Sequence, residues 1–417
     1  MTGPLAAAPW PGSGLRITRV RTFLTAPAGV PLCVVRVETD QPGLYGIGSA
    51  DALQRLLLLP TLVEQYVEPL LRGRDPHDVT DTHALLSTST YWRGGVIDNN
   101  VVSAVDTALW DIKAKALGVP LHQLLGGRVR DGATVYGHAS GHTPAEVLAD
   151  ARSYVDRGYR HVRCQVAIPG ADTYGVANVA PEPGADARGR PWRPENYSEH
   201  VVEMFRVVRE GLGPEIGLLH DVHERVAPAD AVRLAAALEE FSLTFCEDIV
   251  APEDVGWLPR IRSRSGTPLA LGELFTDVRQ FLPLVVQRQI DYARIRVGAV
   301  GGITPTLRLA ALCELHGVRT ALHGPPDVSP VGHAVNATLG VTTAAFGVLE
   351  SWEFPDEVRD VFPGALTVAG GRLTPAPVPG HGVDLDERAA MRHPASDAFR
   401  YSTWALLRGP DGAVARP

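Results

Sequence analysis

The chain predicts a parallel (β/α) barrel preceded by a smaller α+β domain, and two observations carry that expectation. Three carboxylates, Asp221, Glu247 and Glu273, recur at 26-residue intervals, each ending a short apolar run: GLLHD, LTFCE and PLALGE. A helix-length segment follows each run, and one strand-helix unit of a barrel takes roughly 25–35 residues. Strand-like runs also recur from residue 134 onward, as TVYGHAS (134–140), RHVRCQVAI (160–168), IGLLHD, LTFCED, PLALGE, DYARIRV (291–297), VRTALHG (318–324) and AFGVLE (345–350). Helical stretches such as 228–240 and 305–316 alternate with them. An open doubly wound sheet shares this alternation, but eight units over roughly 215 residues favour closure.

Ahead of the barrel, residues 15–50 alternate as three antiparallel strands, RITRVRTFL, PLCVVRVETD and GLYGIGSA, with a turn at Gln41-Pro42-Gly43. Residues 53–72 and 97–117 read as helices, the second stopped by Gly118 with Pro120 beyond. These elements set expected boundaries of 1–132 for a capping domain, 133–374 for the barrel and 375–417 for a Pro/Gly-rich tail packing back on the cap. Some 30 residues between Ile168 and Tyr197 are rich in Gly, Pro and Ala without helical period, the composition of a lid.

A chain of 417 residues exceeds one small core, and its 45% apolar and 21% charged residues suit a globular enzyme. The net charge of −8 leaves no basic footprint for nucleic acid. Cys33, Cys164, Cys246 and Cys313 lie too far apart for metal-ligand spacing, so buried free thiols are expected. No leader-like or membrane-spanning stretch is present, and a cytoplasmic protein with no membrane partner is expected.

In a barrel every strand's C-terminal end points at the same mouth, so the three acids converge. Such hard oxygen ligands suit Mg²⁺. An acid at a helix start also stabilises that helix, but capping leaves the equal spacing unexplained. The other strand ends carry His138, Arg163 with Gln165, His223 after Asp221, Arg294, His323 with Asp327, and Glu350. Each has a plainer role alone, as a core ion pair, a satisfied histidine or a helix cap. Together they make one active-site mouth the more economical reading.

The segments ALWDIKAKALGVPLHQLLGG, VYGHASG, TYGVA, HDVHERV, FCEDIVAPED, LGELF, RIRVGAVGGITP, HGPPDVSPVGHAVN and FGVLE, in that order, resemble the enolase superfamily in its mannonate dehydratase group. The resemblance implies a modified (β/α)7β barrel of TIM type and a proton removed α to a carboxylate, with Mg²⁺ stabilising the enediolate. Asp221, Glu247 and Glu273 match the metal ligands. Tyr174 matches the base, paired with Arg163, and His223 the acid that protonates the departing hydroxyl. His138, Arg294, His323, Asp327 and Glu350 match residues that hold the substrate. The expected reaction is dehydration of D-mannonate or D-gluconate to 2-keto-3-deoxy-D-gluconate, a small acid sugar being the partner, in a symmetric homo-oligomer.

Three departures bear on substrate choice. The cap turn reads GSADALQ, with Leu53 where the group has an asparagine; the tail DGAVARP lacks the group's tryptophan; and Pro325 follows His323-Gly324. In that group alanine at this last place accompanies efficient mannonate turnover, and proline weak, different or absent dehydration. Two alternatives stay open: a catalytically weak paralogue with a binding or regulatory role, and a superfamily racemase with His323 as base or a dehydratase of another acid sugar.

Overall fold

The computed structural model describes residues 12–167, 197–395 and 412–414, without the side chains of 53 and 54. The cap is an antiparallel sheet of β1 (Ile17–Thr25), β2 (Leu32–Thr39) and β3 (Tyr45–Ala50) laid against the helix Val96–Ala116. Glycine at two alternate positions of β3 makes that approach possible. A Cβ on Gly46 or Gly48 would lie 2.0 Å from the carbonyl oxygen of Ala108 or Ala104 on the helix. The helix expected over 53–72 is instead a run of short 3-10, α and π turns from Leu53–Leu58 to Glu68–Leu71. Pro60 and Pro69 lack the amide hydrogens that an unbroken helix needs.

Eight strands then form one parallel sheet in chain order: β4 (Ala133–Gly141), β5 (His161–Val166), β6 (Gly217–Asp221), β7 (Phe245–Glu247), β8 (Leu269–Leu271), β9 (Tyr292–Ile295), β10 (Arg319–Leu322) and β11 (Phe346–Glu350). Pairing of β11 with β4 closes the barrel, so the open-sheet alternative is excluded. Helices cover the outside, among them Pro144–Asp156, Tyr197–Leu212, Pro228–Leu238, Val278–Val286, Ile303–His316 and Pro330–Thr342. After β11 only the short helix Asp356–Val361 follows, before β12 (Arg372–Leu373) pairs antiparallel with β4.

Cap and barrel are joined by buried polar bonds. Asp106 of the long helix accepts from the Thr304 hydroxyl at 2.6 Å and its amide at 2.9 Å. The later chain returns to the cap: the Tyr45 hydroxyl donates to Asp384 at 2.6 Å, and Arg36 pairs with Glu387 at 2.6 Å. All four cysteines are free and buried. Among the described residues no helix is long and apolar enough to cross a membrane. The long connection after β5, with Tyr174, lies outside the described residues, as does the tail's missing-tryptophan segment apart from residues 412–414.

Candidate active site

Tyr136, Leu219, Phe245, Ala270, Ala321 and Val348 form one buried cluster, with Tyr292 packed against it, and fill the barrel interior. Side chains alternate along a strand, so the residue two positions on faces the same way. From six of those interior positions that step lands on His138, Asp221, Glu247, Arg294, His323 and Glu350, all at the mouth. The apolar ring thus aims the polar one.

On β8 the step fails, because two residues beyond Ala270 stands Gly272. Its φ of +127° breaks the alternation and lets Glu273 turn inward. A Cβ there would lie 2.2 Å from the Phe281 ring and 3.0 Å from the Arg294 carbonyl oxygen. The register shows the same offset: Asp221 lies opposite Glu247, but Glu247 lies opposite Ala270 rather than Glu273. Asp248, which alternation would aim outward, has φ +41° and is buried at the site. Oxygens of Asp221, Glu247 and Asp248 lie within 4.8 Å of one another. Glu273 stands beside this trio, its Oε2 3.2 Å from His323 Nε2 and 3.6 Å from Arg294 Nε.

Arg294 is wholly buried and committed within the protein rather than open to a ligand. Its Nε lies 2.7 Å from Glu247 Oε1, and its Nη2 lies 2.5 Å from Glu350 Oε2 while donating to the Tyr136 hydroxyl at 2.9 Å. Arg163 approaches Glu350 at 3.2 Å and Asp221 at 3.8 Å, and its Nη2 is 3.0 Å from His138 Nδ1. Asp327, expected at the substrate, is ion-paired with Arg296, which also donates to the Asp51 carbonyl of the cap at 2.7 Å. Arg296 and Asp248 escaped notice in the sequence: one lies beyond its strand end and the other sits on the wrong parity.

The electrostatics are lopsided. Five buried carboxylates (Asp221, Glu247, Asp248, Glu273 and Glu350) crowd the mouth, with Arg163 and Arg294 ion-paired among them and Arg296, paired to Asp327, acting on Glu273 from the side. Burial, then neighbouring acids, pushes Asp248 well above the carboxylate range. Burial also raises Glu247 and Glu273, against the pull of Arg294. Glu350 goes the other way: burial works against its charge, but Arg294 and Arg163 hold it well below the usual range. Burial keeps His323 neutral, and burial with Arg163 lowers His138 to about 3. Glu247 Oε2 is buried without a hydrogen-bond partner among the described residues. An acid excess with an unmet buried oxygen is what a divalent cation would complete.

A closed parallel barrel with acids and bases drawn from successive strand ends, under an α+β cap, defines an enzyme class. Residues 17–126 match the mandelate racemase/muconate lactonizing enzyme N-terminal domain, and residues 146–389 match the enolase C-terminal domain-like family. The chain belongs to the enolase superfamily. It is 49% identical to a D-galactonate dehydratase family member of a Streptomyces species over 99% of this chain and 95% of that one. A family member of Salmonella virchow is 42% identical over 97% and 100% of the two chains. A crystal structure of an enolase from Pantoea ananatis with bound D-gluconate and Mg superposes with a TM-score of 0.91 at 40% identity, covering 97% of this chain and 100% of that chain.

Proposed function

We propose that the chain is a Mg²⁺-dependent acid-sugar dehydratase that converts D-mannonate or D-gluconate to 2-keto-3-deoxy-D-gluconate. The buried acid cluster at the strand ends, with oxygens of Asp221, Glu247 and Asp248 gathered within 4.8 Å and Glu273 beside them, carries the reading. The Pantoea relative with D-gluconate and Mg supports it. Asp221, Glu247 and Glu273 would hold the ion, with Asp248 beside them. When bound, Mg²⁺ neutralises charge growing on the substrate carboxylate as the α-proton leaves.

The chain's own residues do the rest. Tyr174 takes the C2 proton, and the Arg163 guanidinium favours its phenolate. Arg163 is itself fixed, by Glu350 at 3.2 Å and His138 at 3.0 Å. The C3–O bond then breaks as His223 gives the leaving hydroxyl a proton, and the enol left behind ketonises. His223 follows Asp221 by two residues, at φ +54° just past the end of β6, beside the acid cluster. His138, His323 and Glu350 line the mouth for the substrate's hydroxyls, while Arg294 sets the charge beneath them. Racemisation through His323 lacks support: its Nε2 faces Glu273 at 3.2 Å and Glu350 at 3.6 Å, and Nδ1 has no hydrogen-bond partner among the described residues to orient it as a base.

An aldonate panel with Mg²⁺, including D-mannonate, D-gluconate and D-galactonate, tests the proposal. Keto acid is expected, with D-mannonate turned over below the ordinary kcat/KM of about 10⁴ M⁻¹s⁻¹. Tyr174→Phe should abolish exchange of the C2 proton in D₂O, whereas His223→Asn retains exchange and loses elimination. Exchange without elimination in the parent chain would point to the racemase, and no reaction of any kind to the inactive paralogue.

A further inference from the structure

We propose that Trp352 is a specificity-determining wall of this pocket, its indole packing on the C–H face of the acid sugar's carbon chain. The inference rests on the dehydratase reading. Trp352 follows two residues after Glu350, where β11 has ended, and its contact with His138 places it at the mouth. Its ring meets the His138 ring edge-on, centroids 5.4 Å apart and planes at 62°. His138 and Glu350 beneath it are largely shielded, yet Trp352 keeps 40% of its surface exposed.

That exposure is not looseness. The next residue, Glu353, accepts from Arg157 at 2.8 and 2.9 Å and from the Tyr159 hydroxyl at 2.8 Å. One residue further, Phe354 packs edge-on against His333 at 4.8 Å. With Glu350 held before it by Arg294 and Arg163, the indole is presented from a segment pinned on both sides, at little entropic cost on binding. A rigid aromatic surface beside convergent polar groups is the usual composition of a small-molecule pocket. Acid sugars offer it polarised C–H groups once their hydroxyls have turned toward His138, His323 and Glu350. The same ring shields the Arg163–His138 pair from water, which strengthens that contact.

The test compares wild type, Trp352→Phe and Trp352→Leu as Mg²⁺-loaded full chains, by calorimetric binding of D-gluconate and by steady-state kinetics. Trp352→Phe should stay within about threefold of wild type in Kd and KM. Trp352→Leu should weaken both roughly tenfold, with kcat within about threefold. D-gluconate should also shift the tryptophan emission of wild type, and that shift should vanish in Trp352→Phe. Tight binding by Trp352→Leu, or the same emission shift in wild type and Trp352→Phe, overturns the wall while leaving the dehydratase reading intact. A wild-type chain that binds and turns over no aldonate overturns both. If Trp352→Leu does not fold, the emission comparison decides.

Discussion

Arg294→Met removes the one fully buried cation that the described residues place beneath the acid cluster. Its guanidinium reaches Glu247 at 2.7 Å and Glu350 at 2.5 Å, so the substitution leaves two buried carboxylates without their nearest counter-charge. Breaking a buried pair from one side costs about 3–5 kcal/mol, because the remaining charge is neither hydrated nor paired. Here Arg163 still stands 3.2 Å from Glu350, which moderates that half of the loss, whereas Glu247 has no second cation as close among the described residues. At about 2.1 cal/mol/K of unfolding entropy per residue, each kcal/mol shifts the thermal midpoint of a 417-residue chain by about 1 °C, so a fall of roughly 3–6 °C is expected. Scanning calorimetry in the presence of a chelator reads the effect without metal stabilisation. Arg294→Lys, which keeps the charge but not the fork, should fall between. A midpoint within about 1 °C of wild type for Arg294→Met would refute the view that this residue balances the cluster.

Gly272→Ala should weaken Mg²⁺ binding and destabilise the chain, since its Cβ would lie 2.2 Å from the Phe281 ring and the positive φ that turns Glu273 inward would be strained. Metal titration by calorimetry checks this, and unchanged affinity would show that Glu273 needs no such turn. Burial raises Asp106 to about 7 despite its bonds to Thr304. Its folded pKa lies above the usual 3.8, so its contribution to stability is full at low pH and is lost as pH rises through about 7. Asp106→Asn should therefore gain on wild type between those limits, and a midpoint difference flat across that window speaks against the raised pKa. Glu247→Gln should lose divalent-ion affinity severely, because the amide replaces a buried anionic oxygen with a donor; retention of wild-type affinity would remove Glu247 from the ligand set.

Much of the barrel was legible because alternation and unit length are one-dimensional signals. Val348 to Glu350 and Leu219 to Asp221 are steps that a strand imposes wherever it lies. The equal 26-residue spacing was a true pointer to the mouth but hid a register difference, since Glu273 arrives only through the Gly272 turn. Asp248 was missed because parity sends it outward and only a positive φ brings it back. Arg294, expected to meet substrate, is spent on acids whose nearness no sequence spacing expresses. Over 53–71 the apolar residues suggest a helix, but Pro60 and Pro69 break its hydrogen bonds into a run of mixed turns.

Proton NMR of D-gluconate and D-mannonate in D₂O, with the full chain and Mg²⁺, tests the central proposal most directly. The expected result is loss of the C2–H signal together with appearance of a 3-deoxy-2-keto acid. Both should stop when Mg²⁺ is chelated and in Glu247→Gln. Spectra that stay unchanged for every aldonate, while calorimetry records Mg²⁺ bound to the folded chain, would contradict the assignment of this mouth to acid-sugar dehydration.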